Sequence, residues 1–385
     1  MSLITKDNPI RIMLVDDSAV IRGIFNRVIS SDPLLSIVAS ASDGQMAINS
    51  LKRNDIEVIV LDIEMPIMDG LTALPIIMME KPDIQVIIAS TLTKRNAEIS
   101  IRALTSGAKD YIPKPESAKE LSDNSFQYEL IHKIKALGEY HRKKLIQKNE
   151  NNLFSRAPTT PKDSLIEGSK PNISQLQHHK KTTFHLRKAS TSIPDVIAIG
   201  SSTGGPQALS NLLKSLSKEI TLPILITQHM PPTFTAILAE HLAKNTNIAC
   251  KEAQDGDLIE KQKAYIAPGG KHMIAEICNN QKRIKIIDSP PENYCRPSVD
   301  PMLRSLSQIY GPHVLMIMLT GMGSDGLKGS TLVVENGGTV LAQDEASSVV
   351  WGMPGAVTHA GLCSAVIPLT EIPSKIHSLL FRSVA

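Results

Sequence analysis

The hydrophobic positions of the chain fall into short runs separated by longer amphipathic stretches. From residue 10 onward, "IRIMLVD", "SIVASAS", "VIVLDI", "QVIIAST" and "DYIPKP" read as five strands, with helical segments between and after them. Strand followed by helix, repeated about five times, predicts a doubly wound parallel sheet. The stretch "FQYELIHKIKALGEYHRKK" predicts a helix that closes this unit. Strand-like runs return later in "DVIAIG", "LPILITQ" and "VLMIMLT", each breaking into glycine or small polar residues. Between the two patterned regions, residues 145–192 hold no sustained apolar period and are rich in Ser, Thr, Asn and Pro. Such a composition buries too little surface to offset its ordering entropy. The expected organisation is a first domain over residues 10–124, a closing helix over 125–144, a flexible linker over 145–192 and a second domain over 193–385.

Composition adds bounds to this division. A chain of 385 residues suits two domains better than one core. No run approaches the roughly 18 apolar residues of a membrane span, and the opening "MSLITKDNPIR" lacks a signal-peptide core, so the cytoplasm is the expected location. The net charge of +3 is unevenly spread: Arg142 to Ser190 holds 11 Lys or Arg against 3 Asp or Glu, which leaves the remainder net negative. With sparse aromatic interleaving, a solvated tether accounts for this basicity better than a nucleic-acid or membrane surface does. Cys250, Cys278, Cys295 and Cys363 form no CxxC pair and read as ordinary reduced thiols, without a zinc or disulfide framework.

In a doubly wound sheet, ligands bind beyond the carboxyl ends of the strands. Asp16 and Asp17 end the first expected strand and Asp62 the third, so three carboxylates converge. Their repulsion is relieved by a hard cation such as Mg²⁺. Ser90 and Lys114 end the fourth and fifth strands and supply the hydroxyl and ammonium that a transferred phosphoryl group requires. Taken singly, an Asp after a strand is more often a helix cap and a Lys a solvated surface residue; here five such residues share one edge. Through "LVDDS", "LDIEMPIMDG", "AST" and "KP", residues 10–124 resemble the receiver domain of two-component response regulators. The resemblance implies a flavodoxin-like fold with a five-stranded parallel sheet. It also implies that Asp62 accepts phosphate from a histidine kinase, that Asp16 and Asp17 join Asp62 in holding Mg²⁺, and that Ser90 and Lys114 sense the phosphoryl group.

In the second half, "AIGSSTGGPQAL" turns from a strand into a helix whose first turn holds Pro206. Gly200 and Gly205 have the spacing of a phosphate loop, but Pro206 and Gln207 stand where Lys and Ser or Thr are required. Gly200, Ser202 and Gly204 satisfy GxSxG instead, with Ser202 in the nucleophile position. His229 follows the run "LPILITQ" and Asp325 lies in the glycine-rich loop after "VLMIMLT". In isolation each has a bland role, a core histidine and a helix cap. Together they place Ser, His and Asp at three strand ends, as acyl transfer needs. Their chain order is not that of the α/β-hydrolases.

Through "AIGSSTGGPQAL", "ITQHMPP", "YIAPGGKHM", "CRPSVDPML", "LTGMGSDG" and "AQDEASSVVWGMP", this half resembles the catalytic domain of the chemotaxis protein-glutamate methylesterases, the CheB family. The resemblance implies an α/β domain with a mostly parallel sheet and a triad of Ser202, His229 and Asp325. Thr203 would help to position His229, and the Met322 N–H would help to bind the oxyanion. The implied substrates are γ-glutamyl methyl esters and some glutamines of methyl-accepting chemotaxis receptors, hydrolysed without a metal. By the same analogy an unphosphorylated receiver covers the cleft, across a tether longer than the family pattern. A rival reading from another class makes the second half a binding module with a structural serine; no basic DNA-reading helix supports a nucleic-acid role.

Overall fold

The computed structural model describes residues 3–115, 124–154, 184–216 and 218–381. The first unit runs β1 (Ile10–Val15), α1 (Ala19–Ser30), β2 (Leu35–Ala41), α2 (Gly44–Leu51), β3 (Val58–Asp62), α3 (Gly70–Glu80), β4 (Gln85–Ser90), α4 (Lys94–Thr105), β5 (Asp110–Pro113) and α5 (Asn124–Phe154). Its five strands pair in the order β2-β1-β3-β4-β5, all parallel. β3 and β4 are buried at every position, which is why Val58–Leu61 and Val86–Ala89 are unbroken apolar runs rather than alternating ones. Ser18, Asp43, Asp69 and Thr93 start α1 to α4 by accepting a hydrogen bond from a first-turn N–H.

The second unit contains β6 (Val196–Ser201), α6 (Gly205–Ser215), β7 (Ile224–Gln228), α7 (Phe234–Asn245), β8 (Ala249–Glu252), β9 (Lys263–Ile266), β10 (His272–Cys278) and β11 (Gln281–Ile287). It continues through α8 (Val299–Tyr310), β12 (Val314–Met318), α9 (Leu327–Glu335), β13 (Thr339–Gln343), α10 (Met353–His359), β14 (Ala365–Ile367) and α11 (Ile372–Leu380). Seven strands form one sheet in the order β14-β13-β12-β6-β7-β9-β8, and every pair is parallel. β10 and β11 make a separate antiparallel hairpin. The strand order reverses between β6 and β12, and such a switch point opens a crevice at the strands' carboxyl ends.

The two units share one apolar core. Ile101, Leu104 and Tyr111 of the first lie in the same buried cluster as Leu212, Phe234 and Leu238 of the second. α4 packs against both α6 and α7.

The boundaries of the expected linker differ from the structure at both ends. The closing helix, expected over 125–144, runs on to Phe154. At the other end, Phe184 packs its ring against Trp351 and His359, and the Arg187 N–H donates to Cys363 O. A single aromatic anchor leaves no periodic signal in the sequence. Residues 155–183, the greater part of the expected linker, lie outside the described residues, as do 116–123 and 382–385. Among the described residues no helix is long and apolar enough to cross a membrane.

Candidate active site and its contact with the first domain

Ser201 and Gln228 are register partners at the ends of the parallel strands β6 and β7. Ser202 and His229 are the next residues along, so the sheet itself sets them side by side. The His229 N–H donates to Ser201 O, and Gln228 Nε2 donates to both Ser202 O and His229 O. Ser201 is fully buried and donates its hydroxyl to Gln228 Oε1 at 2.7 Å, a structural role, whereas Ser202 is partly exposed. The turn after Ser202 demands glycine. Gly204 has φ +77°, and a Cβ on Gly205 would stand 2.0 Å from Gln228 Oε1. Gly321, on the neighbouring loop, would bring a Cβ to 2.9 Å from that of Ser202.

Asp325 follows β12 and completes the group. Its Oδ2 accepts from His229 Nε2 at 2.7 Å and from the Val299 N–H at 2.7 Å. Its Oδ1 accepts from Ser298 Oγ, Asn293 Nδ2 and the Gly326 N–H. Burial disfavours the carboxylate, but His229 and these donors outweigh it and hold the pKa down at about 2. The N-cap position of α9 is Gly326, so Asp325 does not take the capping role it would have in isolation. For His229, burial opposes the charge, while Cys295 and Asp325 outweigh it and raise the imidazole to about 10. With Nε2 occupied by Asp325, Nδ1 is the ring nitrogen that has no carboxylate partner. Cys295 Sγ, a free thiol as its spacing suggested, stands 3.5 Å from that nitrogen. Among the described residues no hydrogen bond joins Ser202 Oγ to His229, and the N–H groups of Thr203 and Met322 have no partner.

Thr203 does not reach His229. Its buried hydroxyl donates to Asp110 Oδ2 on β5 of the first domain. Asp110 Oδ1 accepts in turn from Lys133 Nζ and the Tyr111 N–H, and Lys133 also pairs with Glu129. The Gly204 N–H donates to Lys109 O, and the Tyr111 and Phe234 rings stack with centroids 4.9 Å apart. The first domain therefore rests on the turn that carries Ser202. The sequence offered no signal for this partner, because a charged residue facing a second domain looks like one facing water.

At the far edge of the first sheet, Asp16, Asp17 and Asp62 bring carboxylate oxygens within 4.8 Å of one another. Lys114 Nζ sits 2.7 Å from Asp16 and 2.8 Å from Asp62, balancing one charge of three. Burial raises the Asp62 pKa to about 6; Asp16 adds to this and Lys114 opposes it. The uncompensated charge and hard oxygen donors fit a divalent cation such as Mg²⁺. Ser90 Oγ is paired with Ser100 Oγ on α4 at 2.9 Å, not with the aspartates.

Comparison with known proteins gives two family matches. Residues 197–376 match the CheB methylesterase model and residues 12–125 the response regulator receiver domain model. The chain is 49% identical over 375 residues, 97% of each chain, to protein-glutamate methylesterase/protein-glutamine glutaminase 1 of Paramagnetospirillum magneticum. It is likewise 49% identical over 382 residues to the protein-glutamate methylesterase/protein-glutamine glutaminase of Azospirillum brasilense, covering 98% of this chain and 94% of that one. The crystal structure of the Thermotoga maritima CheB methylesterase catalytic domain matches at 39% identity and a TM-score of 0.47, covering 49% of this chain and all of that one.

Proposed function

The chain belongs to the protein-glutamate methylesterase/protein-glutamine glutaminase family, with a receiver domain joined to a methylesterase domain. It is a response-regulator methylesterase and glutaminase of chemotaxis. From that premise we propose how its residues carry out the reaction. Ser202 attacks the γ-carbonyl of a glutamyl methyl ester on a chemoreceptor while His229 Nδ1 takes its proton. Asp325 holds the ring through Nε2 and stabilises the imidazolium. The Met322 N–H, with that of Thr203, donates to the oxyanion, each such donor contributing roughly 3 kcal/mol in other hydrolases. The imidazolium returns its proton to the departing oxygen, releasing methanol. Water then attacks the glutamyl-enzyme by the reverse sequence, leaving a carboxylate. From a glutamine the leaving molecule is ammonia. His229 must reach its neutral state and exchange Cys295 for Ser202 at Nδ1 before it acts. Apo hydrogen bonds that tighten only with substrate are common in such sites.

We further propose that the receiver holds this site back. Asp62 accepts a phosphoryl group from a histidine kinase, and Asp16, Asp17 and Asp62 are the residues that would hold Mg²⁺. The cation, when bound, neutralises the phosphoryl oxygens. Ser90 leaves Ser100 to bond the phosphoryl group, with Lys114 as its counter-charge; α4, which carries Ser100, is the helix packed on α6 and α7. Loosening that face frees the turn with Ser202, a shift between closed and open populations. The domain division stands behind this scheme: a receiver with its closing helix, a connecting segment, and a catalytic unit.

The observation that carries the reading is the Asp325–His229 pair beside Ser202 at the ends of β12, β7 and β6. Methanol release from methylated receptor membranes tests it. Ser202→Ala is expected to abolish release, and Ser201→Ala, which loses only the Gln228 bond, to retain most of it. Comparable loss in both would overturn the assignment.

A further inference from the structure

The loop before α8 makes a tight hairpin beside the catalytic histidine. Glu292 and Cys295 form an antiparallel bridge, with N–H to carbonyl bonds of 3.2 and 2.9 Å in the two directions. The two residues between them, Asn293 and Tyr294, have φ of +53° and +63°. Two central residues with positive φ are what a type I′ turn requires, and its favoured pair is Asn-Gly. Asparagine fits here, and its Nδ2 ties the turn to Asp300 and Asp325. Tyrosine stands where glycine belongs. A side chain with a Cβ is disfavoured in this conformation.

Nothing inside the fold accounts for that choice. Tyr294 is 100% exposed and makes no hydrogen bond or ring contact among the described residues. The turn beneath it is well supported: Glu292 is paired with Arg304 on α8, and Cys295 Sγ lies 3.5 Å from His229 Nδ1. A rigidly mounted, fully solvated aromatic thus sits one residue from the group that touches the reacting nitrogen. Strained backbone of this kind gathers where it serves a function outside the fold. Tyrosine suits recognition, since it offers a large contact area with only two side-chain torsions to immobilise.

We propose that Tyr294 is a docking residue for the polypeptide that carries the glutamyl ester. The ester and its short side chain enter the site, while the body of the substrate protein lies across the rim and covers the ring. This rests on the function proposed above. It adds that protein substrates are distinguished from small esters at this turn. Tyr294 touches neither the acyl group nor the triad, so it sets the affinity for the protein substrate and leaves the chemistry alone.

The test compares two substrates in the full-length protein with phosphodonor present: methylated receptor membranes and a small N-acylated glutamate γ-methyl ester. Tyr294→Gly restores the residue the turn prefers, so its melting temperature is expected to equal or exceed that of the parent. Its KM for receptor is expected to rise about ten- to thirtyfold, the range of an aromatic anchor, with kcat/KM for the small ester unchanged. Tyr294→Phe keeps the ring and is expected to keep most of the affinity. An unchanged kcat/KM for receptor in Tyr294→Gly overturns the proposal. So does an equal fall on both substrates, which would make the turn a support for His229. Failure of the underlying reading is separately visible, because Ser202→Ala would then still hydrolyse the small ester.

Discussion

Thr203→Val keeps the volume of the side chain and removes the hydroxyl that joins the catalytic turn to the receiver. Asp110 retains its bonds from Lys133 and the Tyr111 N–H on Oδ1, so its charge stays paired while Oδ2 alone loses its partner. A hydrogen bond to a charged group contributes roughly 1.5–3 kcal/mol. Losing it only in the closed arrangement moves the closed-to-open ratio by roughly ten- to a hundredfold toward open. The Gly204–Lys109 bond and the Tyr111–Phe234 stack persist, so docking weakens without vanishing. The measurement is methanol release with and without a small phosphodonor, expressed as a ratio. Thr203 adjoins the nucleophile and its loss also slows the chemistry, but that factor enters both rates and cancels. The stimulation ratio is expected to fall toward one. Asp110→Ala approaches the same bond from the receiver, leaves Lys133 paired with Glu129, and is expected to give the same fall. The double variant should go little further, because both remove one interaction. A stimulation ratio in Thr203→Val equal to that of the parent protein would refute the claim that this bond restrains the enzyme.

Three other outcomes follow from the geometry. The Asp62 pKa of about 6 lies above an unfolded value near 3.9, so the native state keeps a proton the unfolded chain has lost and stability declines as pH rises between them. Asp62→Asn should therefore raise the melting temperature at pH 7.5, with a gain that shrinks toward pH 4; an equal gain at both would exclude titration of this carboxyl as its source. Cys295→Ala removes one of the influences that raise His229, so the ascending limb of the pH–rate profile, where the imidazole becomes neutral, should move to lower pH, and an unmoved limb would show that the sulfur does not act on the base. Phe184→Ala loses two ring contacts, each contributing about 0.5–1.5 kcal/mol, and should lower the melting temperature of the catalytic domain; no change would mean that the chain is not anchored there.

What the sequence made legible was what is local or repeated. Apolar runs marked the buried strands, and glycines marked the bend at Ser202. Three strand ends with the right side chains marked Ser202, His229 and Asp325, the group proposed as the triad, since in a parallel sheet all such ends lie on one side. The supporting contacts were silent because their partners are remote. Thr203 and Asp110 lie 93 positions apart in different domains, and Asn293 meets Asp325 from 32 positions away. Cys295 looked inert because thiol chemistry was sought in cysteine pairs, whereas its neighbour is a histidine.

The side chain of Gln228 ties the peptide groups of Ser202 and His229 together and accepts from Ser201 as well. None of these bonds involves the reactive atoms of Ser202 or His229. The separation of Ser202 and His229 is thus a main-chain dimension, indifferent to which side chain occupies the turn. The same framework would carry a cysteine at position 202 without rebuilding, and a Ser202→Cys variant would inherit the register of β6 and β7 along with its spacing from His229. Replacing Gln228 would do the opposite, leaving every reacting group in place chemically while releasing the gauge that spaces them.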